Sequence, residues 1–172
     1  MGEHSASILV AGIAMEGAYA GFTRGKLNDL ERESPGLGYT VAYHGGLHGE
    51  ATVFIYSLGE NHIPDGPMSE LVMGQLDQAT RDIISHSQSV GTIAELVGRY
   101  GTGSPNRGAE FLCAEFILSN VAGARRTFIY VTACANNFVK IRITLRTNDE
   151  MDSTARKFAD AVATGLWRET TH

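Results

Sequence analysis

The sequence predicts an α+β fold, a central antiparallel β-sheet flanked by helices, with its elements in the order ββαββββα. Three observations carry this prediction. Val139-Lys140-Ile141-Arg142-Ile143-Thr144-Leu145-Arg146 alternates apolar and polar residues without exception, and a period of two puts Val139, Ile141, Ile143 and Leu145 on one face of a strand. Two further runs rich in apolar, β-branched and aromatic residues, 111–118 and 127–133, precede it with turn-forming residues between them. Helical spacing of apolar residues then appears twice, once before this meander and once after it.

Each element has its own warrant. The polar stretch 21–35 reads as an extended entry segment or short strand with an exposed turn at Pro35-Gly36. Tyr39, Val41 and Tyr43 alternate in one strand and 52–56 supplies a second. The Gly-rich residues 44–50 between them form a hairpin loop. Pro67 suits the first turn of a helix, after which Leu71, Val72, Leu76, Ala79 and Ile83 make an apolar stripe. The stretch 90–99 is read as one more strand, although Ala94-Glu95-Leu96 suits a helix equally well, and 101–108 is read as a loop by composition. Asn136-Asn137 suits a tight turn, since Asn tolerates positive φ. Gly123 allows a slightly longer hairpin loop between the first two strands of the meander. Thr147 and Glu150 have the spacing of a capping box, and Met151, Ala155, Phe158, Ala159, Val162, Leu166 and Trp167 mark the terminal helix.

Composition bounds the function. With 172 residues and 43% hydrophobic content, the chain is most economically a single α+β domain at 21–172. A net charge of −5 excludes a general nucleic-acid binder, which needs a basic surface to displace counterions. The apolar run 8–15 followed by Ala18-Tyr19-Ala20 fits a degenerate signal peptide cleaved before Gly21. Glu3, His4 and Glu16 depart from that pattern, and the alternative is an amino-terminal extension or a first element of the fold. No stretch is long enough for a transmembrane helix.

Several phrases resemble a family of small, mostly uncharacterised bacterial proteins with a PsbP-like α/β sandwich, usually made with a signal peptide. They are Gly21-Phe22-Thr23-Arg24, Pro35-Gly36-Leu37-Gly38-Tyr39, the run 51–59 with Ile63-Pro64-Asp65-Gly66, Glu110-Phe111-Leu112-Cys113-Ala114 and Phe138-Val139-Lys140-Ile141-Arg142. The resemblance spans most of 21–167 and implies a periplasmic or exported protein; the missing basic region at the amino end leaves a cytoplasmic one as the alternative. It carries no catalytic residues over.

Candidate chemistry is sparse. His44 and His48 with Glu50 have the separation of metal ligands on a helix, but Gly45-Gly46 favours a hairpin tip, so no metal site, cofactor or catalytic residue is assigned. A small hydrolase with a site near His44, His48 and Asp65 is the enzymatic alternative. Cys113 and Cys134 fall opposite each other if the hairpin pairs symmetrically about Gly123, and an oxidising compartment would bridge them. A one-residue slip would separate them onto two faces, and buried free thiols are the other reading. Lys140, Arg142 and Arg146, joined by Arg126, form a basic stripe offering a partner surface. The expectation is a non-enzymatic binding or accessory domain, envelope-associated, with an unidentified protein or small-molecule ligand as partner. A homo-oligomeric structural protein is the remaining class.

Overall fold

The computed structural model describes residues 6–104, 108–146 and 151–168. Its elements are β1 (Ile8–Val10), β2 (Ile13–Met15), β3 (Ala18–Tyr19), β4 (Phe22–Asp29), β5 (Tyr39–His44), β6 (Gly49–Tyr56), α1 (Glu70–Ser89), β7 (Ile93–Ser104), β8 (Gly108–Asn120), β9 (Gly123–Cys134), β10 (Asn137–Arg146) and α2 (Met151–Arg168). From β5 onward the order is ββαββββα, as the sequence predicts, and the fold is α+β.

β3 to β10 form one antiparallel sheet in the spatial order β3-β4-β5-β6-β10-β9-β8-β7. After β6 the chain crosses through α1 to the far edge, and the β7–β10 meander returns to the middle. β10 closes the sheet by pairing with β6 from Phe138 opposite Tyr56 to Leu145 opposite Gly49. This central position explains why Val139, Ile141 and Ile143 are fully buried.

The two helices cover opposite faces. α1 starts at Ser69, whose side chain accepts from Val72 N at 3.2 Å, satisfying one of the first-turn donors. Its stripe Val72, Leu76, Ala79 and Ile83 packs on Ala114, Phe116, Ile129, Val131 and Phe138. α2 buries Ala155, Phe158, Ala159, Val162, Ala163 and Leu166 against the other face, where Tyr43, Val53, Tyr130, Val139 and Ile141 lie. Alternation along β10 thus divides the molecule into two cores, one per face. The capping box predicted at 147–150 lies outside the described residues.

Turn chemistry sets the registers. Ala135 and Asn136 both have positive φ, 52° and 58°, the pattern of a two-residue hairpin turn, so the predicted Asn136-Asn137 turn sits one residue earlier. Asn136 is also held from outside the hairpin: Oδ1 accepts from Ile63 N at 2.7 Å and Nδ2 donates to Glu60 O. In the β4–β5 turn the Glu31 carboxylate accepts from Gly36 N and Gly38 N. Gly38 has φ +67°, and a Cβ there would meet Ile55 O at 1.9 Å, so only glycine fits.

One expectation is corrected, and the amino-terminal run is placed. Of the readings open for that run, the structure has the first elements of the fold. The run 8–15 is split by Ala11-Gly12, both at positive φ, into the β1–β2 hairpin, and Val10, Ile13, Met15 and Tyr19 are buried in the core beneath α2. The predicted loop at 101–108 is mostly strand, because β7 continues to Ser104 and β8 begins at Gly108; the residues between them lie outside the described set. No helix among the described residues is long and apolar enough to cross a membrane.

Candidate functional site

The polar face of β10 lies on the α1 side, but α1 rests on β7, β8 and β9. Lys140, Arg142, Thr144 and Arg146 therefore line the margin of the helix-covered area. The predicted basic stripe divides there. Lys140 is taken up by packing, its Nζ 4.5 Å from the Phe54 ring centroid and 5.5 Å from that of Tyr56, a cation–π arrangement. Burial lowers its pKa, and Asp82 on α1 opposes that shift. Arg142 is half-buried between Ile129 on β9 and Thr52 on β6, and burial lowers its pKa as well.

Arg146 lies directly opposite Arg125 on β9. Arg126, expected in this stripe, faces the other side of the sheet and is ion-paired with Glu115. The physical reason is the β9–β10 register: Arg126 lies opposite Leu145, which is buried in the other core, while its neighbour Arg125 lies opposite Arg146, and adjacent residues of a strand point to opposite faces. Thr127 and Thr144, whose hydroxyl oxygens lie 3.0 Å apart, link the two strands beside the arginines.

These residues surround a groove of about 520 Å³ at the C-terminal end of α1. Arg125, Arg142 and Arg146 supply its charge, with His86, Thr144 and Glu50 beside them, while Val90 and Leu118 add apolar wall. Among the described residues no carboxylate pairs with any of the three guanidinium groups. Glu50 is engaged by His44 Nδ1 at 2.5 Å. The nearby helix-end carbonyls are engaged too: His86 O accepts from Val90 N and Ser89 Oγ, and Ser87 O accepts from Thr92 N. A half-buried guanidinium with none of its donors matched by an acceptor among the described residues suits an acceptor-rich anion from solvent.

His44, His48 and Asp65 are not brought together. His44 pairs with Glu50 at the β5–β6 hairpin, level with Thr144. Asp65 precedes Gly66, whose N–H donates to Ala133 O opposite Phe138. Thr144 and Phe138 are six residues apart along β10, which is roughly 20 Å of strand, so the hydrolase site is not assembled. Among the described residues no three His, Cys, Asp or Glu side chains converge as a metal site.

The proposed Cys113–Cys134 bridge is likewise not formed. Cys113 lies opposite Tyr130, and Cys134 is four residues further along β9, about 13 Å away at strand rise, beyond the reach of a disulfide. The turn is tightened to Val121-Ala122, where Asn120 Oδ1 accepts from Ala122 N at 2.8 Å, and this shifts the pairing from symmetry about Gly123. Both cysteines are buried and neither forms a disulfide among the described residues. Burial pushes the Cys113 thiol up to about 12, opposed by hydrogen bonds with Tyr100 and Tyr130. Native protein is expected to resist thiol-reactive disulfide reagents at pH 8 and to release two equivalents only on unfolding; fast native labelling would contradict this burial. The folded state also holds the Cys113 proton more tightly than the unfolded chain. Its contribution is therefore complete below the unfolded pKa of about 8.5 and declines as pH rises toward about 12.

No protein-family model matches the chain, and no curated protein matches it. Among solved structures it is similar to the solution structure of cyanobacterial PsbP (CyanoP) from Synechocystis sp. PCC 6803, with a TM-score of 0.49 and 14% sequence identity over 89% of this chain and 83% of that one.

Proposed function

We propose that the protein is a non-enzymatic binding module that takes an acidic small molecule in the groove lined by Arg125, Arg142 and Arg146. The observation that carries this reading is the set of three guanidinium groups, without a carboxylate partner among the described residues, around one cavity. Arg142 is desolvated by the fold and gains no ion pair in return among the described residues, so a bound anion would restore to it what water supplies in the unfolded chain. A groove of about 520 Å³ lies within the usual range for small-molecule sites, and the mixture of arginine, threonine and aliphatic wall suits an anion with an apolar body. The resemblance of several sequence phrases to a usually exported family supports an envelope location, with the core segment 8–19 retained in the working protein.

Calorimetric titration with acidic and neutral ligands of equal shape tests this reading. Benzoate or phenyl phosphate is expected to bind and benzamide is not. Added salt should weaken binding, as screening requires, and Arg142→Gln should weaken it by about tenfold, the scale of one charge-assisted hydrogen bond. Equal affinity for benzoate and benzamide, or binding unchanged in Arg142→Gln, would remove the groove as the functional site.

A further inference from the structure

We propose that the ligand presents a phosphoryl group to the Arg125–Arg146 pair, an inference that rests on the groove reading and specifies its chemistry. The register places Arg125 and Arg146 directly opposite on adjacent antiparallel strands, where Cβ atoms sit about 5 Å apart. Like charges in such a pair repel, and among the described residues neither arginine has a carboxylate partner. One group carrying close to two negative charges and three acceptor oxygens neutralises both guanidinium groups at once. A phosphate monoester has that charge and oxygen count near neutral pH. A carboxylate carries a single charge and is matched by one bidentate guanidinium, which leaves the second arginine uncompensated.

The rest of the groove orients the remainder of the molecule. Arg142 and Arg146 flank Thr144 along β10, on the same face. A ligand anchored at Arg146 therefore extends over Thr144 toward Arg142, with Val90 and Leu118 as its apolar wall. His86 and Glu50 are the other titratable groups lining the groove, and Glu50 is held by His44.

The test compares phenyl phosphate with benzoate, which share a ring and differ in head group, by calorimetry on the full chain at fixed pH and low salt. Phenyl phosphate is expected to bind at least tenfold more tightly. In the double variant Arg125→Gln/Arg146→Gln that preference should fall to near unity while benzoate affinity changes less than twofold. Both side chains are exposed, so the variant should fold, and its melting temperature without ligand verifies that. Arg142→Gln should weaken both ligands by a similar factor. Co-sedimentation with vesicles of phosphatidylcholine, with and without phosphatidic acid, separates the two sources of such a group. Arginine-dependent sedimentation only with phosphatidic acid assigns the phosphoryl group to a lipid headgroup, and phenyl phosphate binding without sedimentation assigns it to a soluble monoester. Equal affinity for the two ring ligands, unchanged in the double variant, overturns the phosphoryl assignment and leaves the groove reading standing. Failure of both ligands to bind overturns the groove reading itself.

Discussion

A chain beginning at Gly21 is expected to lose its cooperative thermal transition, or to melt at least 15 °C below the full chain. Such a chain lacks Val10, Ile13, Met15 and Tyr19, all buried beneath α2. Burial of side chains of this kind contributes about 1.5–3 kcal/mol each, a gross sum of roughly 6–12 kcal/mol before the entropy of ordering the segment is set against it. Two polar contacts go as well: Arg24 Nη1 donates to Met15 O at 3.0 Å, and the Tyr43 hydroxyl donates to Glu16 O at 2.7 Å. The Tyr43 ring is fully buried, and a buried hydroxyl left unmatched costs about 1–3 kcal/mol. Against a total stability of about 5–15 kcal/mol, the loss is decisive. Circular-dichroism melts of the two chains check it, and coincident melting curves would mean that the β1–β2 hairpin contributes nothing to the core.

Phe158→Ala should destabilise the protein by about 4 kcal/mol, seen as a fall in melting temperature of about 10 °C for a chain of this size. Phe158 is fully buried and stands edge-on to three rings, Phe22 at 5.2 Å, Tyr43 at 5.5 Å and Tyr19 at 5.8 Å between centroids. It is the only ring of α2 among the described side chains and the point where β3, β4 and β5 meet the helix. Phe158→Leu keeps most of the volume and should recover more than half of the loss. A change below 1 kcal/mol for the alanine variant would show that α2 does not seal this face.

The architecture was legible where the signal is local. Alternation in 139–146 identified β10 and its buried face, and the spacing of Val72, Leu76, Ala79 and Ile83 identified the face of α1 that the structure buries. What escaped the sequence depends on pairing between distant segments. Nothing local states that β10 inserts between β6 and β9, since its partner β6 is some eighty residues away. The apolar run 8–15 has the composition of a signal sequence, and the only trace of its hairpin is Gly12 in the middle, where φ is +80°.

The site was half legible for the same reason. Arg142 and Arg146 follow from the alternation of β10, whereas choosing Arg125 over Arg126 required the β9–β10 register, which sets Arg125 opposite Arg146. The β8–β9 register, set by the two-residue Val121-Ala122 turn, puts Cys113 opposite Tyr130, four residues from Cys134, and brings Arg126 beside Glu115. The groove itself exists because α1 ends beside the β8–β9 turn, a relation between elements that no periodicity encodes.

The central claim is that an anion is bound by these three arginines together, and the most direct measurement is an NMR titration of arginine Nε–Hε resonances with phenyl phosphate. Arg125, Arg142 and Arg146 should shift along one common saturation curve, while Arg126 and Arg99, already paired with Glu115 and Asp77, stay in place. Small unsaturating shifts spread over all the arginines, or a saturating response centred on Arg126 or Arg99, would contradict it.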